Sequence, residues 1–132
     1  MGEKRMSADP MRVVVADDDA DIRELVTFKL QQAGYEIDAV ADGAQAWASI
    51  SEAPPRLAVL DVMMPGLSGL DVLRKVREDE RTKTVPVILL TARSRDSDVD
   101  SGFATGATDY VIKPFSPREL VHRVSSVLAR GA

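Results

Sequence analysis

The chain has 132 residues, 45% hydrophobic and 29% charged, a balance that fits one soluble globular domain able to bury a core without staples. It has no cysteine and one histidine, His122, which excludes disulfides, thiolate metal sites and multi-histidine zinc sites within these residues. A formal net charge of -4 argues against nucleic-acid binding by this domain, and no apolar stretch nears the roughly 20 residues of a membrane span, so a cytoplasmic protein is expected.

Residues 1–10 carry charged and small polar groups without periodicity and read as a flexible leader. The folded unit is expected over 11–130, with no output domain in this chain. Val13-Val14-Val15-Ala16 is an apolar run that ends in Asp17-Asp18-Asp19, and Asp21 continues the acidic cluster into the start of a helix. Ile22, Leu25, Val26, Leu30 and Ala33 recur at helical spacing, and Gly34 supplies the stop. Residues 35–40 alternate as an edge strand does, with Glu36 and Asp38 discouraging pairing with another molecule. Asp42-Gly43 reads as a turn, followed by a short helix with Ala46, Trp47 and Ile50 on one face; Trp47 is a packing residue.

Leu57-Ala58-Val59-Leu60 is aliphatic throughout and stops on Asp61, between Pro55 and Pro65-Gly66. Such a run reads as a strand buried on both faces that aims one carboxylate at a fixed point. Ser68-Gly69-Leu70-Asp71 is a capping-box pattern opening a helix with Leu70, Leu73 and Val76 as its apolar positions. Arg74, Lys75, Arg77, Arg81 and Lys83 alternate with acids and read as a solvated face. A fourth run, Val87-Ile88-Leu89-Leu90, ends in Thr91. The helix expected over about 96–105 is poor in large apolar residues, with Val99 and Phe103 as anchors and Gly102 inside it, so it is among the elements easiest to shift. Gly106 ends it. Tyr110-Val111-Ile112 runs into Lys113, and Ser116-Pro117-Arg118-Glu119 opens a last helix whose buried stripe is Leu120, Val121, Val124 and Leu128.

Five strands alternating with five helices predict an α/β, doubly wound, flavodoxin-like fold with a parallel sheet in the order 2-1-3-4-5. Parallel order gathers Asp17, Asp18, Asp61, Thr91 and Lys113 on one sheet edge, with the acids at the switch point. Three clustered carboxylates need a cation. Oxygen ligands without His or Cys select a hard ion such as Mg²⁺, which tends to share a phosphate. A carboxylate facing a phosphoryl donor there is a nucleophile, and catalysis amounts to positioning plus cations, with Lys113 as one cation and the Thr91 hydroxyl as a donor. A cis Lys113–Pro114 bond is one way to turn the chain so that the lysine points into the site, although trans is the statistical default.

The spacing of Asp17-Asp18, Asp61-Val62-Met63-Met64-Pro65-Gly66, Leu90-Thr91-Ala92 and Asp109-Tyr110-Val111-Ile112-Lys113-Pro114-Phe115 resembles the receiver domain of bacterial two-component response regulators over about Met11 to Leu128. The resemblance implies that Asp61 accepts a phosphoryl group from a sensor histidine kinase or a phosphotransfer protein. It implies that Asp18, Asp61 and the Met63 carbonyl hold Mg²⁺ directly and that Asp17 acts mainly through water. Thr91 and Lys113 would contact the phosphoryl group, and Thr91 with Tyr110 would form the switch. The fourth helix, fifth strand and last helix would be the signalling face, read by a downstream effector or a fused output domain. A phospho-dependent homodimer is weakened by Val99 standing opposite Glu119, while Asp109 and Arg123 keep the pattern of another pair. Met63 and Arg93 occupy positions that tune dephosphorylation in the family.

Two rivals remain. Asp17-x-Asp19 after an apolar strand resembles the nucleophile motif of haloacid-dehalogenase-like phosphatases, but Asp21 replaces the usual Thr or Val and the chain lacks room for a cap. A degenerate receiver working without phosphorylation is disfavoured by the complete acid, Thr and Lys set. Taken one at a time the residues have bland explanations: the acids as a helix-start cluster favoured by the dipole, Thr91 as a strand-end hydroxyl, Lys113 as a solvated cation. Their shared edge turns the reading toward a site.

Overall fold

The computed structural model describes residues 11–92 and 96–131. The leader expected over 1–10 lies outside them, as do Arg93 and the side chain of Val99. The elements run β1 (Arg12–Ala16), α1 (Ala20–Gln32), β2 (Glu36–Val40), α2 (Gly43–Glu52), β3 (Leu57–Asp61), α3 (Gly69–Glu78), β4 (Val87–Ala92), α4 (Asp96–Thr105), β5 (Asp109–Lys113) and α5 (Pro117–Gly131). All four strand pairings are parallel and the sheet order is β2-β1-β3-β4-β5, as the alternation of apolar runs and helices predicts.

Side chains on successive strand residues point to opposite faces, so each central strand feeds two cores. Val14, Ala16, Ala58, Leu60, Val87 and Leu89 meet Ala46 and Ile50 of α2 and Val72, Leu73 and Val76 of α3. Val13, Val15, Leu57, Val59, Ile88 and Leu90 meet Val26 and Leu30 of α1 and Leu120, Val124, Val127 and Leu128 of α5. The entire β3 strand is buried, Asp61 included, whereas the edge strands β2 and β5 are only partly covered.

Capping signals were legible and are used. Ser68 accepts the Asp71 N–H at 3.1 Å and Asp71 accepts the Ser68 N–H at 3.0 Å, closing the capping box at the head of α3. Ser116 takes the Glu119 N–H at the start of α5. Asp42 proves to be the N-cap of α2, accepting the Gln45 N–H at 2.8 Å, so Asp42-Gly43 opens the helix directly.

Three expectations need correction. Phe103 is not a buried anchor of α4: it is 46% exposed and meets Tyr110 edge-on, with ring centroids 5.2 Å apart. Among the described α4 side chains the buried position is Gly102, where a Cβ would press onto Leu89, so the absence of a side chain lets the helix lie close to the sheet. Leu25 falls off the buried stripe of α1 at 46% exposure. Arg77 is no part of a solvated face. Half-buried, it donates to the carbonyls of Gly106 at 2.9 Å, Val85 at 2.7 Å and Lys83 at 3.1 Å, tying the end of α3 to the loop before β4 and the turn after α4.

Candidate functional site

The register levels the strand tips. Ala16 pairs with Leu60, Asp61 with Leu90, Thr91 with Ile112 and Ala92 with Lys113, so Asp17, Asp61, Thr91 and Lys113 share the C-terminal edge of the sheet. The chain before each tip is strand and the chain after it is a loop, which fixes the Cα while leaving the side chain free to face the edge.

Asp17 is held on several sides. Its N–H donates to the Val40 carbonyl at 3.2 Å, its Oδ1 accepts the Asp19 N–H at 2.9 Å, and its Oδ2 lies 3.1 Å from Lys113 Nζ. Its carbonyl accepts from Arg23 Nη1 at 2.7 Å. Asp61 Oδ1 is 3.3 Å from the same Lys113 ammonium, which therefore bridges two buried acids. Asp18 is exposed at the mouth, and Asp17, Asp18 and Asp61 each offer an oxygen within 4.8 Å of the others. Gly69 backs the site: its N–H donates to Val62 at 2.9 Å, and a Cβ there would collide with the Asp61 carbonyl.

The electrostatics follow from this crowding. Burial, then the Asp17 charge, push the Asp61 carboxyl up to about 6 against the pull of Lys113 and the Met63 N–H. Burial alone pulls the Lys113 ammonium down, but Asp61 and Asp17 together outweigh it and leave Lys113 above its ordinary value. Thr91 Oγ1 is buried and has no hydrogen-bond partner among the described residues, which is costly unless a group entering the site satisfies it. Three converging carboxylate oxygens short of positive charge and an unpartnered hydroxyl beside them suit a hard divalent cation together with an anion. The Lys113–Pro114 peptide is cis, and Tyr110 lies half-buried on β5, three residues before Lys113.

Comparison with known proteins agrees with this arrangement. The family model of the response regulator receiver domain matches residues 13–125. The chain belongs to the response regulator receiver domains. A curated relative of this receiver domain, the phosphate regulon transcriptional regulatory protein PhoB of Pseudomonas aeruginosa, is 43% identical over 118 residues, covering 89% of this chain and 52% of the relative. The DNA-binding response regulator MtrA of Mycobacterium tuberculosis is 43% identical over 120 residues, covering 91% of this chain and 51% of the relative. The chain thus spans about half the length of the curated relatives it matches. Among solved structures, a response regulator of Chloroflexus aurantiacus superposes with a TM-score of 0.87 at 39% identity, covering 92% of this chain and 100% of that one. The chemotaxis protein CheY4 of Vibrio cholerae gives 0.84 at 34% identity, covering 90% and 99%.

The receiver assignment disfavours the phosphatase reading, and the geometry gives a reason. Asp19, which that reading needs as a free carboxyl, caps α1 by accepting the N–H groups of Asp21 at 3.0 Å and Ile22 at 3.1 Å. Sequence reasoning missed Arg23, whose acceptor is a backbone carbonyl and therefore leaves no side-chain pattern to find. Among the described residues, no helix is long and apolar enough to cross a membrane.

Proposed function

We propose that residues 11–130 act as a phosphorylation switch in which Asp61 is the acceptor. A carboxylate oxygen of Asp61 attacks phosphorus, the new P–O bond forms as the P–N bond of a donor phosphohistidine breaks, and the donor imidazole leaves with that electron pair. The donor is a sensor histidine kinase or a phosphotransfer protein. The observation that carries this reading is Asp61 itself: a buried carboxylate held 3.3 Å from Lys113, beside the unpartnered Thr91 hydroxyl.

Asp18, Asp61 and the Met63 carbonyl would hold Mg²⁺, with Asp17 acting mainly through water; when bound, the ion neutralises the acids and the charge that develops on the phosphoryl oxygens. Lys113 is already charged and directed at the reacting oxygen, so it needs no reorganisation as negative charge grows. Thr91 Oγ1 donates a hydrogen bond to another phosphoryl oxygen, which satisfies its own missing bond. The domain catalyses only its own phosphorylation and dephosphorylation, which makes it a signalling domain.

The product carries about -1.5 to -2 charges and three strong acceptors at the strand tips, where the free carboxylate carried a single charge. Thr91 moving toward them vacates space for Tyr110, whose ring touches Phe103 on α4, and the change reaches the face made of α4, β5 and α5. Both states are populated before modification, and the phosphoryl group shifts their ratio. That face serves a downstream effector or a fused output domain, and the domain works in the cytoplasm. It also offers a phospho-dependent homodimer. In the unmodified state Arg123 pairs with Asp109 of its own chain, with Nη1 3.1 Å from both carboxylate oxygens, and dimerisation by that pair requires this contact to open.

The test is intact mass after incubation with acetyl phosphate. With Mg²⁺ the wild-type chain gains one phosphoryl group, and EDTA or Asp61→Asn abolishes the gain. Equal labelling of Asp61→Asn overturns the proposal and revives a receiver that works without this modification.

A further inference from the structure

Arg23 closes the first turn of α1, half-buried, and its Nη1 donates to the Asp17 carbonyl at 2.7 Å. That carbonyl belongs to the peptide joining Asp17 to Asp18. The Asp17 end of this peptide is fixed from every side, by Val40, Asp19 and Lys113. Asp18 has no such support: it is exposed, and the direction of its carboxylate depends on the plane of the peptide that precedes it. Among the described residues, the side chain that holds this plane is Arg23. Its own backbone is anchored in turn, because the Arg23 N–H donates to the Asp19 carbonyl at 2.9 Å in the first turn of α1.

We propose that Arg23 is a positioning residue for the divalent-cation site: by clamping the Asp17–Asp18 peptide it aims the Asp18 carboxylate at the point where it converges with Asp61 and Asp17. The inference rests on the metal reading of the acidic cluster and deepens it. Two physical effects of the guanidinium oppose each other here, which makes the proposal testable by sign. A positive charge near a cation site repels the cation, so removing it on electrostatic grounds alone tightens binding. Removing a clamp that preorganises a ligand loosens binding, because the ordering of the loop must then occur when the ion binds. The clamp dominates, since the guanidinium is spent on a short, charge-assisted hydrogen bond to the very peptide that carries the ligand.

The experiment is calorimetric titration of Mg²⁺ into the metal-free full chain, with thermal melts of each protein alongside. Arg23→Met keeps the aliphatic stem and removes both charge and donor. It is expected to bind Mg²⁺ about ten-fold more weakly than wild type, the lower end of what residues supporting a metal ligand contribute. Arg23→Lys, which keeps one donor and the charge, is expected to recover most of the affinity. A role confined to helix stability lowers the melting temperature of Arg23→Met and leaves the affinity unchanged; that result overturns the clamp, and so does tighter binding. If Arg23→Met does not fold, Arg23→Gln is read by the same sign. Wild-type protein that binds no Mg²⁺ overturns the metal reading itself, which separates the two failures.

Discussion

Replacing Asp61 by Asn tests the electrostatic account through stability, with no phosphodonor present. In the metal-free protein the Asp61 carboxyl is raised from 3.8 to about 6, so between those values the folded state binds more protons than the unfolded state. Stability is therefore lost as pH rises from about 4 through 6, and the full penalty stands above pH 6. A shift of this size corresponds to about 2–3 kcal/mol. Asparagine cannot ionise, and Lys113 retains Asp17 at 3.1 Å, so the substitution removes the penalty without stranding the ammonium. Asp61→Asn should be more stable than wild type at pH 7.5 by that amount, a rise of about 8–12 °C in Tm for a domain of this size. At pH 5 the gain should fall to about half, and below pH 4 it should vanish. Added Mg²⁺ should raise the wild-type Tm and narrow the gap, since binding to the folded state alone stabilises it by mass action. Paired thermal melts at the three pH values, with and without Mg²⁺, make the measurement. A variant that is less stable at pH 7.5, or a gain that does not change with pH, refutes the reasoning.

Other consequences are open to the same melts. Lys113→Ala leaves two buried carboxylates without their shared cation and should destabilise the metal-free chain by about 3 kcal/mol at pH 7.5, the lower end of what breaking a buried ion pair costs. Because the ammonium is held above its ordinary value, it stays charged throughout pH 5–8, and the smaller loss expected at pH 5 comes from protonation of Asp61. Gly69→Ala drives a methyl group into the Asp61 carbonyl and should cost about 1–3 kcal/mol while weakening Mg²⁺ binding measured by calorimetry. Arg77→Met strands three carbonyl acceptors and should speed amide exchange at Gly106 and Ala107, with little change at the tip of β1.

How much of this was legible in the sequence depended on what kind of partner each residue has. Leu57 to Leu60 is apolar because both faces of β3 are covered, so the run itself announces a central strand and places Asp61 at its tip. The same logic exposes Thr91 and Lys113, and the capping residues Ser68 and Ser116 carry their own spacing. Helical periodicity, by contrast, marks a stripe without its width or rotation. Leu25 therefore joins Val26 and Leu30 on paper although it turns outward in the fold. Phe103 looks like the anchor of α4 by size alone, but the close approach is made by Gly102, and contact through a missing side chain is invisible to a hydrophobic pattern. Arg77 and Arg23 escaped for a third reason: their acceptors are backbone carbonyls, which every residue has, so no complementary acid marks them in the sequence.

The central claim is that one carboxylate, Asp61, becomes the phosphoryl ester. Borohydride reduction of the chain after treatment with Mg²⁺ and acetyl phosphate, followed by peptide sequencing, locates that ester directly, because an acyl phosphate is reduced to an alcohol where a free carboxylate is not. The account predicts homoserine at position 61 and unaltered aspartate at positions 17 and 18. Homoserine at position 17 or 18, or at none of the three, would contradict it.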